Sequence, residues 1–185
     1  EEEKPSLVDE TLAGMTLHEK VCQMMFVTPE ELTGEDGVTV AGDATRQALE
    51  NYPVGGIVYF AKNLESQDQV KEMIDNSQKD SSIGLFVATD EEGGVVNRLM
   101  DTVGTTYIGS MYYYKDDGDE TAYENAYTIA NDMSALGFNL DFAPVADVWS
   151  NPDNTVIGER AYSDDYAQAA ELVGNAVKGF NDGGV

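Results

Sequence analysis

The chain alternates between two hydrophobic rhythms. Short continuous apolar runs, Gly55-Gly-Ile-Val-Tyr-Phe60, Leu85 to Thr89 and Leu140 to Val145, read as buried strands rich in β-branched and aromatic side chains. Between them lie longer stretches whose apolar positions recur every three or four residues, the pattern of a helix with one buried face. Leu7 to Ala13 predicts a short helix, and Thr16 predicts the cap of a second, with Leu17, Val21, Met24 and Met25 on one side. The apolar run from Met24 to Val27 also fits a first strand, and periodicity alone does not place that boundary. Ala44 to Asn51 predicts a helix stopped by Pro53. Ser66 to Lys79 predicts another, capped by Ser66, with Val70, Met73 and Ile74 turned inward. Glu120 to Leu136 predicts a long helix closed by Gly137, with Tyr123, Tyr127, Ile129, Ala130 and Met133 available for packing. Asp164 to Asn181 predicts the last, with Ala170, Val173, Val177 and Phe180 at helical spacing.

Continuous apolar strands separated by amphipathic helices imply parallel strands with covering helices. A closed (β/α)8 barrel of TIM type needs eight strand–helix units and about 250 residues. The pattern here supplies roughly the first four, so the expected fold class is α/β, a truncated (β/α)8 barrel. The expected organisation is one domain over residues 1–185, with 1–5 a loose polar tail. An open doubly wound sheet is the competing architecture, but no glycine-rich phosphate loop follows the first strand.

Composition narrows the function classes. The 185-residue chain is 42% hydrophobic and 24% charged, a globular composition. Its net charge of −25, from 35 acids against 10 Lys and Arg, leaves no basic patch for nucleic acid or an anionic membrane. The same charge argues against an open α/β domain that binds a phosphorylated small molecule. No apolar run of about 18 residues predicts a membrane span. No secretory signal is visible, and Glu1-Glu-Glu-Lys-Pro5 fits the remnant of a removed export signal. The single cysteine, Cys22, excludes an internal disulfide and reads as a buried apolar thiol. The single histidine, His18, reads as a surface helix residue, since nothing beside it completes a metal set. Asp116, Asp117, Asp119 and Glu120 lack the twelve-residue calcium-loop pattern and read as an exposed turn. No metal or other cofactor is expected.

In a parallel barrel, chemistry sits in the loops at the carboxyl ends of strands. Three segments fall there: Ala61-Lys-Asn-Leu64, Asp90-Glu-Glu-Gly-Gly94, and the long loop carrying Asp147, Trp149, Asn151 and Arg160. Asp90 either accepts two neighbouring hydroxyls of a sugar ring or caps the turn that follows it. Glu91 and Glu92 are weaker candidates: three adjacent acids cannot all point into one pocket without raising each other's proton affinity, so at least one of the three is expected to face solvent. Gly93 and Gly94 permit a tight turn. An Asp90–Glu92 acid and nucleophile pair is rejected, because such carboxyls stand about 5–9 Å apart across the scissile bond. Arg160 either offers its rigid donor fork to a ligand or braces the loop through a salt bridge. Trp149 either stacks on a sugar face or closes the core. Asp141 and Asp147 read as structural, pinning loops through backbone hydrogen bonds.

Several ordered motifs together resemble glycoside hydrolase family 3, and its β-N-acetylhexosaminidase branch in particular. They are Leu17-His-Glu-Lys-Val-Cys-Gln-Met24, Val54-Gly-Gly-Ile-Val-Tyr-Phe60, Asp90-Glu-Glu-Gly-Gly94 and the stretch from Asn139 to Ser163. The resemblance implies a barrel that releases terminal β-N-acetylglucosamine from cell-wall fragments or related glycosides, with retention of configuration. It implies Asp90 and Arg160 as substrate-binding residues, with Arg98 and Trp149 in support. The family's arginine after the paired glycines is Val95 here, and Arg98 follows it. The family's Lys-His pair, histidine acid/base and aspartate nucleophile would lie beyond Val185, so no catalytic residue is expected in the chain and it is expected to be inactive alone. A complete, non-catalytic carbohydrate-binding or interaction module is the alternative. Exposed half-barrel edges would favour self-association.

Overall fold

The computed structural model describes residues 6–185, and the expected loose tail at 1–5 lies outside the described residues. Four strands, β1 (Phe26–Val27), β2 (Gly56–Val58), β3 (Phe86–Thr89) and β4 (Leu140–Asp141), form one sheet in chain order. Every neighbouring pair is parallel, with Ile57 opposite Val27 and Val87, and Thr89 opposite Asp141. A doubly wound sheet reverses its strand order at a switch point. This one advances in a single direction, as a (β/α)8 barrel does, so the expected fold class holds.

The helices begin where the side chains can satisfy their free amides. The first two, α1 (Leu7–Gly14) and α2 (Leu17–Cys22), start with reciprocal caps, Ser6 with Asp9 and Thr16 with Glu19. Thr28 and Glu31 repeat the device, with Pro29 as the first residue of α3 (Pro29–Thr33). The next pair are α4 (Asp43–Asn51) and α5 (Gln67–Asp80), the latter capped by Ser66 as its sequence predicts. A short α6 (Leu99–Val103) follows β3. The long pair is α7 (Asp119–Leu136), closed by Gly137 in the left-handed region at φ 98°, and α8 (Tyr166–Gly183), capped by Asp165. The core lies between sheet and helices, where Ile57, Tyr59, Val70, Met73, Ile74, Leu85, Val87, Met133 and Phe138 are almost fully buried.

Two expectations are corrected. The strand expected over Leu140 to Val145 pairs only at Leu140 and Asp141. Phe142 donates its amide to Thr89 and the ladder then stops, and Pro144 has no N–H with which to resume it. The buried face of α8 is also one position off the expected stripe. Ala169, Leu172, Ala176, Gly179, Phe180 and Gly183 are buried, whereas Ala170 and Val177 are exposed. Close approach to α7 sets this face. A Cβ on Gly179 would overlap the Tyr123 carbonyl oxygen, and one on Gly183 would overlap the Ala130 methyl. Small size, rather than hydropathy, selects these positions.

The face of the sheet away from the helices carries an aromatic cluster. The Phe26 ring stacks on Phe86 at 5.8 Å and meets Phe142 edge-on at 6.4 Å. Gly56 lies between Phe26 and Phe86 in register, and a Cβ there would overlap the Phe26 ring. The three rings remain 40–53% exposed. Among the described residues, no helix is long and apolar enough to cross a membrane.

The helix pair yields a paired prediction. Gly179→Val should destabilise the chain by about 2–3 kcal/mol through overpacking. Gly174→Ala, on the open side of the same helix, should stabilise it by about 0.5–1 kcal/mol. Urea unfolding midpoints of the two variants should move in opposite directions.

Candidate functional site

The loop leaving β3 places three acids in a row, and the fold gives each a different neighbour. Asp90 keeps about a quarter of its side chain exposed and pairs with Arg98, whose Nη2 lies 3.1 Å from Asp90 Oδ2. Arg98 in turn lies over the Phe60 ring at the end of β2. Glu91 turns inward and accepts the amides of Arg98, Leu99 and Met100 at 2.6, 2.7 and 3.1 Å, capping the first turn of α6. Burial pushes the Glu91 carboxyl above its ordinary value, while these three amides and the Arg98 charge pull it back. Glu92 is 4% exposed in its side chain and takes both prongs of Arg160, at 2.8 Å from Nε and 2.7 Å from Nη2. Of the three acids only Asp90 keeps partial exposure, while Glu91 and Glu92 are buried. The turn buries Glu91 and Glu92 on separate partners, so they do not crowd one pocket.

Gly93 and Gly94 make that separation possible. Both have positive φ, 89° and 59°, and the Glu92 amide donates to Val96 O across the turn they form. A Cβ on Gly94 would overlap Ser110.

The loop after β4 closes over this turn from the other side. Arg160 sits on a single 3-10 turn, Gly158–Arg160, and its Nη1 donates to Val156 O at 3.1 Å. A guanidinium carries five N–H groups, so donors remain beyond those held by Glu92 and Val156. Its hydrogen bonds to Glu92 hold Arg160 further above its ordinary range. The loop-bracing role left open for Arg160 is thus realised. The bidentate bond bridges 68 positions of sequence and fastens the β3 and β4 loops together.

The other expected residues fall nearby in different roles. Asp141, at the end of β4, accepts the Glu91 amide through Oδ1 at 2.9 Å, as a loop-pinning residue should. Asp147 is exposed. Trp149 stands edge-on to Tyr112 at 5.0 Å, and its Nε1 is buried without a partner among the described residues. That placement joins Trp149 to an aromatic cluster rather than to the Asp90–Arg98 pair. At the end of β2, Asn63 is fully buried and ties the Phe60 amide, Val38 O and Glu30 together. Glu30 also pairs with Lys62 at 3.2 Å. Sequence reading missed Glu30, since an acid in a helix's first turn is ordinary and its side-chain partners Asn63 and Lys62 lie over 30 positions away. Cys22 is buried as expected, and His18 lies on the surface with Nε2 2.8 Å from Asn51 O. Among the described residues no group of three or more His, Cys, Asp or Glu is disposed to hold a metal ion.

Parallel strands in barrel order, with acids and guanidinium groups gathered at their carboxyl ends, define an α/β domain of the TIM-barrel class. The chain belongs to glycosyl hydrolase family 3: the model of that family's N-terminal domain matches residues 16–185. It is similar to beta-hexosaminidase LpqI of Mycobacterium tuberculosis, with 34% identity over 178 residues, covering 94% of this chain and 42% of that protein. It is also similar to beta-hexosaminidase A of Pseudoalteromonas piscicida, 33% identical over 147 residues, covering 75% of this chain and 25% of that one. Among solved structures, a family 3 β-N-acetylglucosaminidase from Paenibacillus sp. str. FPU-7 superposes with a TM-score of 0.81 at 35% identity, covering 93% of this chain and 32% of that one. NagZ of Neisseria gonorrhoeae superposes at 0.75 and 26% identity, covering 86% and 46%. The chain therefore spans less than half the length of these relatives.

The Glu92–Arg160 pair generates a direct prediction. Arg160→Ala leaves a buried carboxylate without its cation and should cost about 3 kcal/mol, the low end for a buried pair because the guanidinium keeps some water. Replacing both partners, Glu92→Gln with Arg160→Met, should cost less than Arg160→Ala alone. Chemical denaturation of the two variants checks the order.

Proposed function

We propose that the strand-end loops of this chain form the sugar-recognition part of a glycoside hydrolase site that releases terminal β-N-acetylglucosamine with retention of configuration. The observation that carries this reading is Asp90. It stands at the end of a barrel strand, it is partly exposed, and among the described residues only Arg98 engages it. Its second carboxylate oxygen is left to accept adjacent ring hydroxyls, a charge-assisted contact of high strength. Arg160, fixed by Glu92, offers its remaining N–H groups to the same ring. Arg98 supports the site by orienting Asp90, and Trp149 supports it by closing the loop that carries Arg160. The names of the relatives, β-hexosaminidases and a β-N-acetylglucosaminidase, favour an N-acetylhexosamine as the sugar. The acid/base and the nucleophile come from outside these 185 residues. Without a covalent nucleophile the chain retains recognition and loses turnover by many orders of magnitude.

The open aromatic face of the sheet bears on association. Phe26 on β1, Phe86 on β3 and Phe142 just after β4 form a contiguous apolar surface across the sheet, and exposed surfaces of this kind pair with other chains. The 185-residue chain self-associates through this face. Sedimentation velocity should show dimers or larger species that Phe86→Asp shifts toward monomer. A wild-type chain that stays monomeric at high micromolar concentration would contradict this.

Hydrolysis of an aryl β-N-acetylglucosaminide tests the functional reading. A longer protein that continues this chain through the rest of a family 3 barrel should turn the substrate over, and the 185-residue chain should not. In the longer protein, Asp90→Asn should lower kcat/KM by about 30- to 100-fold, the loss expected for a charged hydrogen bond. A change within about threefold would remove Asp90 from the recognition site. No turnover by the longer protein would favour a purely binding role.

A further inference from the structure

Four carboxyl groups converge where β3 and β4 end, and the fold supplies cations for only two of them and a full set of amides for a third. Asp90 has Arg98, Glu92 has Arg160, and Glu91 has three backbone amides. The fourth is Asp141. Its Oδ1 accepts one amide, from Glu91, and its Oδ2 is sealed from solvent with no partner among the described residues. No ion pair among the described residues includes it, because both nearby guanidinium groups are committed elsewhere. The titratable groups that face Asp141 are Asp90, Glu91 and Glu92 from the loop after β3, and Tyr162 from the segment after the 3-10 turn. Three of these are acids and the fourth carries no positive charge.

Asp141 as a residue is half-buried, but its Oδ2 is sealed, so a carboxylate there would place negative charge out of water among other acids. An isolated buried charge costs far more than a buried neutral group, and a titratable side chain avoids the cost by keeping its proton. We infer that Asp141 is held as a neutral carboxylic acid in the folded chain, and that its proton is what allows Asp90, Glu91 and Glu92 to share one strand end. Asp141 is thus a positioning residue. It touches the recognition loop through the Glu91 amide and leaves contact with the sugar to Asp90. Burial, with the three acids adding to it and the Glu91 amide opposing it, pushes its carboxyl up to about 8.

The sign of the pH dependence follows. An unfolded aspartate titrates at about 3.9, so between about 4 and about 8 the folded chain keeps a proton that the unfolded chain has released. Stability from this group is complete below about 4, falls as pH rises through the window, and levels off once both states are ionised. Asp141→Asn keeps an oxygen acceptor for the Glu91 amide and cannot ionise, so it should lack this component of the slope.

The inference about the proton rests on the sealed, unpartnered Oδ2 and the neighbouring acids, and its bearing on sugar recognition rests on the proposed function. Carbon-13 NMR of the aspartate carboxyl groups, followed across pH in the 185-residue chain, tests it directly. One resonance, assigned to Asp141 and missing in Asp141→Asn, should titrate near pH 8. Titration of Asp141 below about pH 5 would overturn the inference. The wild-type titration decides this even where a variant folds poorly. Urea midpoints should converge between wild type and Asp141→Asn at low pH and diverge toward pH 8, with the wild type lower. Parallel curves would also count against it. Binding of N-acetylglucosamine separates the two readings. If the sugar does not bind at any pH while Asp141 titrates near 8, the carbohydrate reading fails and the protonated acid remains.

Discussion

Three consecutive carboxyl groups at the end of β3 are drawn toward the protein interior, and the surrounding structure is organised around neutralising them separately. A single pocket could not hold them, because each would raise the proton affinity of the next. The chain solves this with a double-glycine turn that sends the side chains in different directions. One acid meets an arginine eight residues on, one caps a short helix, and one reaches across to the loop of the next strand. The site geometry follows from that division. Only the first acid retains exposure and an uncommitted carboxylate oxygen, which is why the proposed recognition role falls to it.

The same division links recognition to fold. Glu92 and Arg160 hold the β3 and β4 loops together, and the Asp141–Glu91 contact repeats the link one layer below. Buried pairs of this kind are weak as net stabilisers, since desolvation offsets much of the attraction, but removing one partner is costly. Their value here is positional. The proposed recognition site would need donors and acceptors held within narrow limits, and two loops with little regular structure are held by side chains that grip each other. The very acidic surface matters less than its few cations, since Arg98 and Arg160 are both spent at this strand end.

Much of the fold was legible in the chain, because buried parallel strands announce themselves as unbroken apolar runs such as Gly55 to Phe60. The helix caps at Thr16 and Ser66 were legible for the same local reason. What escaped were features set by contact between distant segments. The buried face of α8 runs through Gly179 and Gly183, which no hydropathy pattern marks and which only the nearness of α7 explains. The end of β4 at Asp141 reflects where pairing with β3 stops, while the apolar run continues past it. At the site, Asp90 and Arg160 were legible as charged residues in the strand-end loops, where the fold does place them. The partner of each was not, since Glu92 reaches Arg160 across 68 positions. Glu91 and Glu92 looked redundant in a run of acids, and their burial became visible only with the turn that separates them.

The central claim is that Asp90 is the ligand-facing acid while Glu91 and Glu92 are internal. A structure with N-acetylglucosamine bound, of this chain or of a longer protein containing it, tests that claim most directly. The account predicts adjacent ring hydroxyls on the Asp90 carboxylate, a third contact from Arg160, and the Glu92–Arg160 bond intact beneath them. A sugar held by Glu91 or Glu92, or bound away from this strand end with Asp90 unengaged, would contradict it.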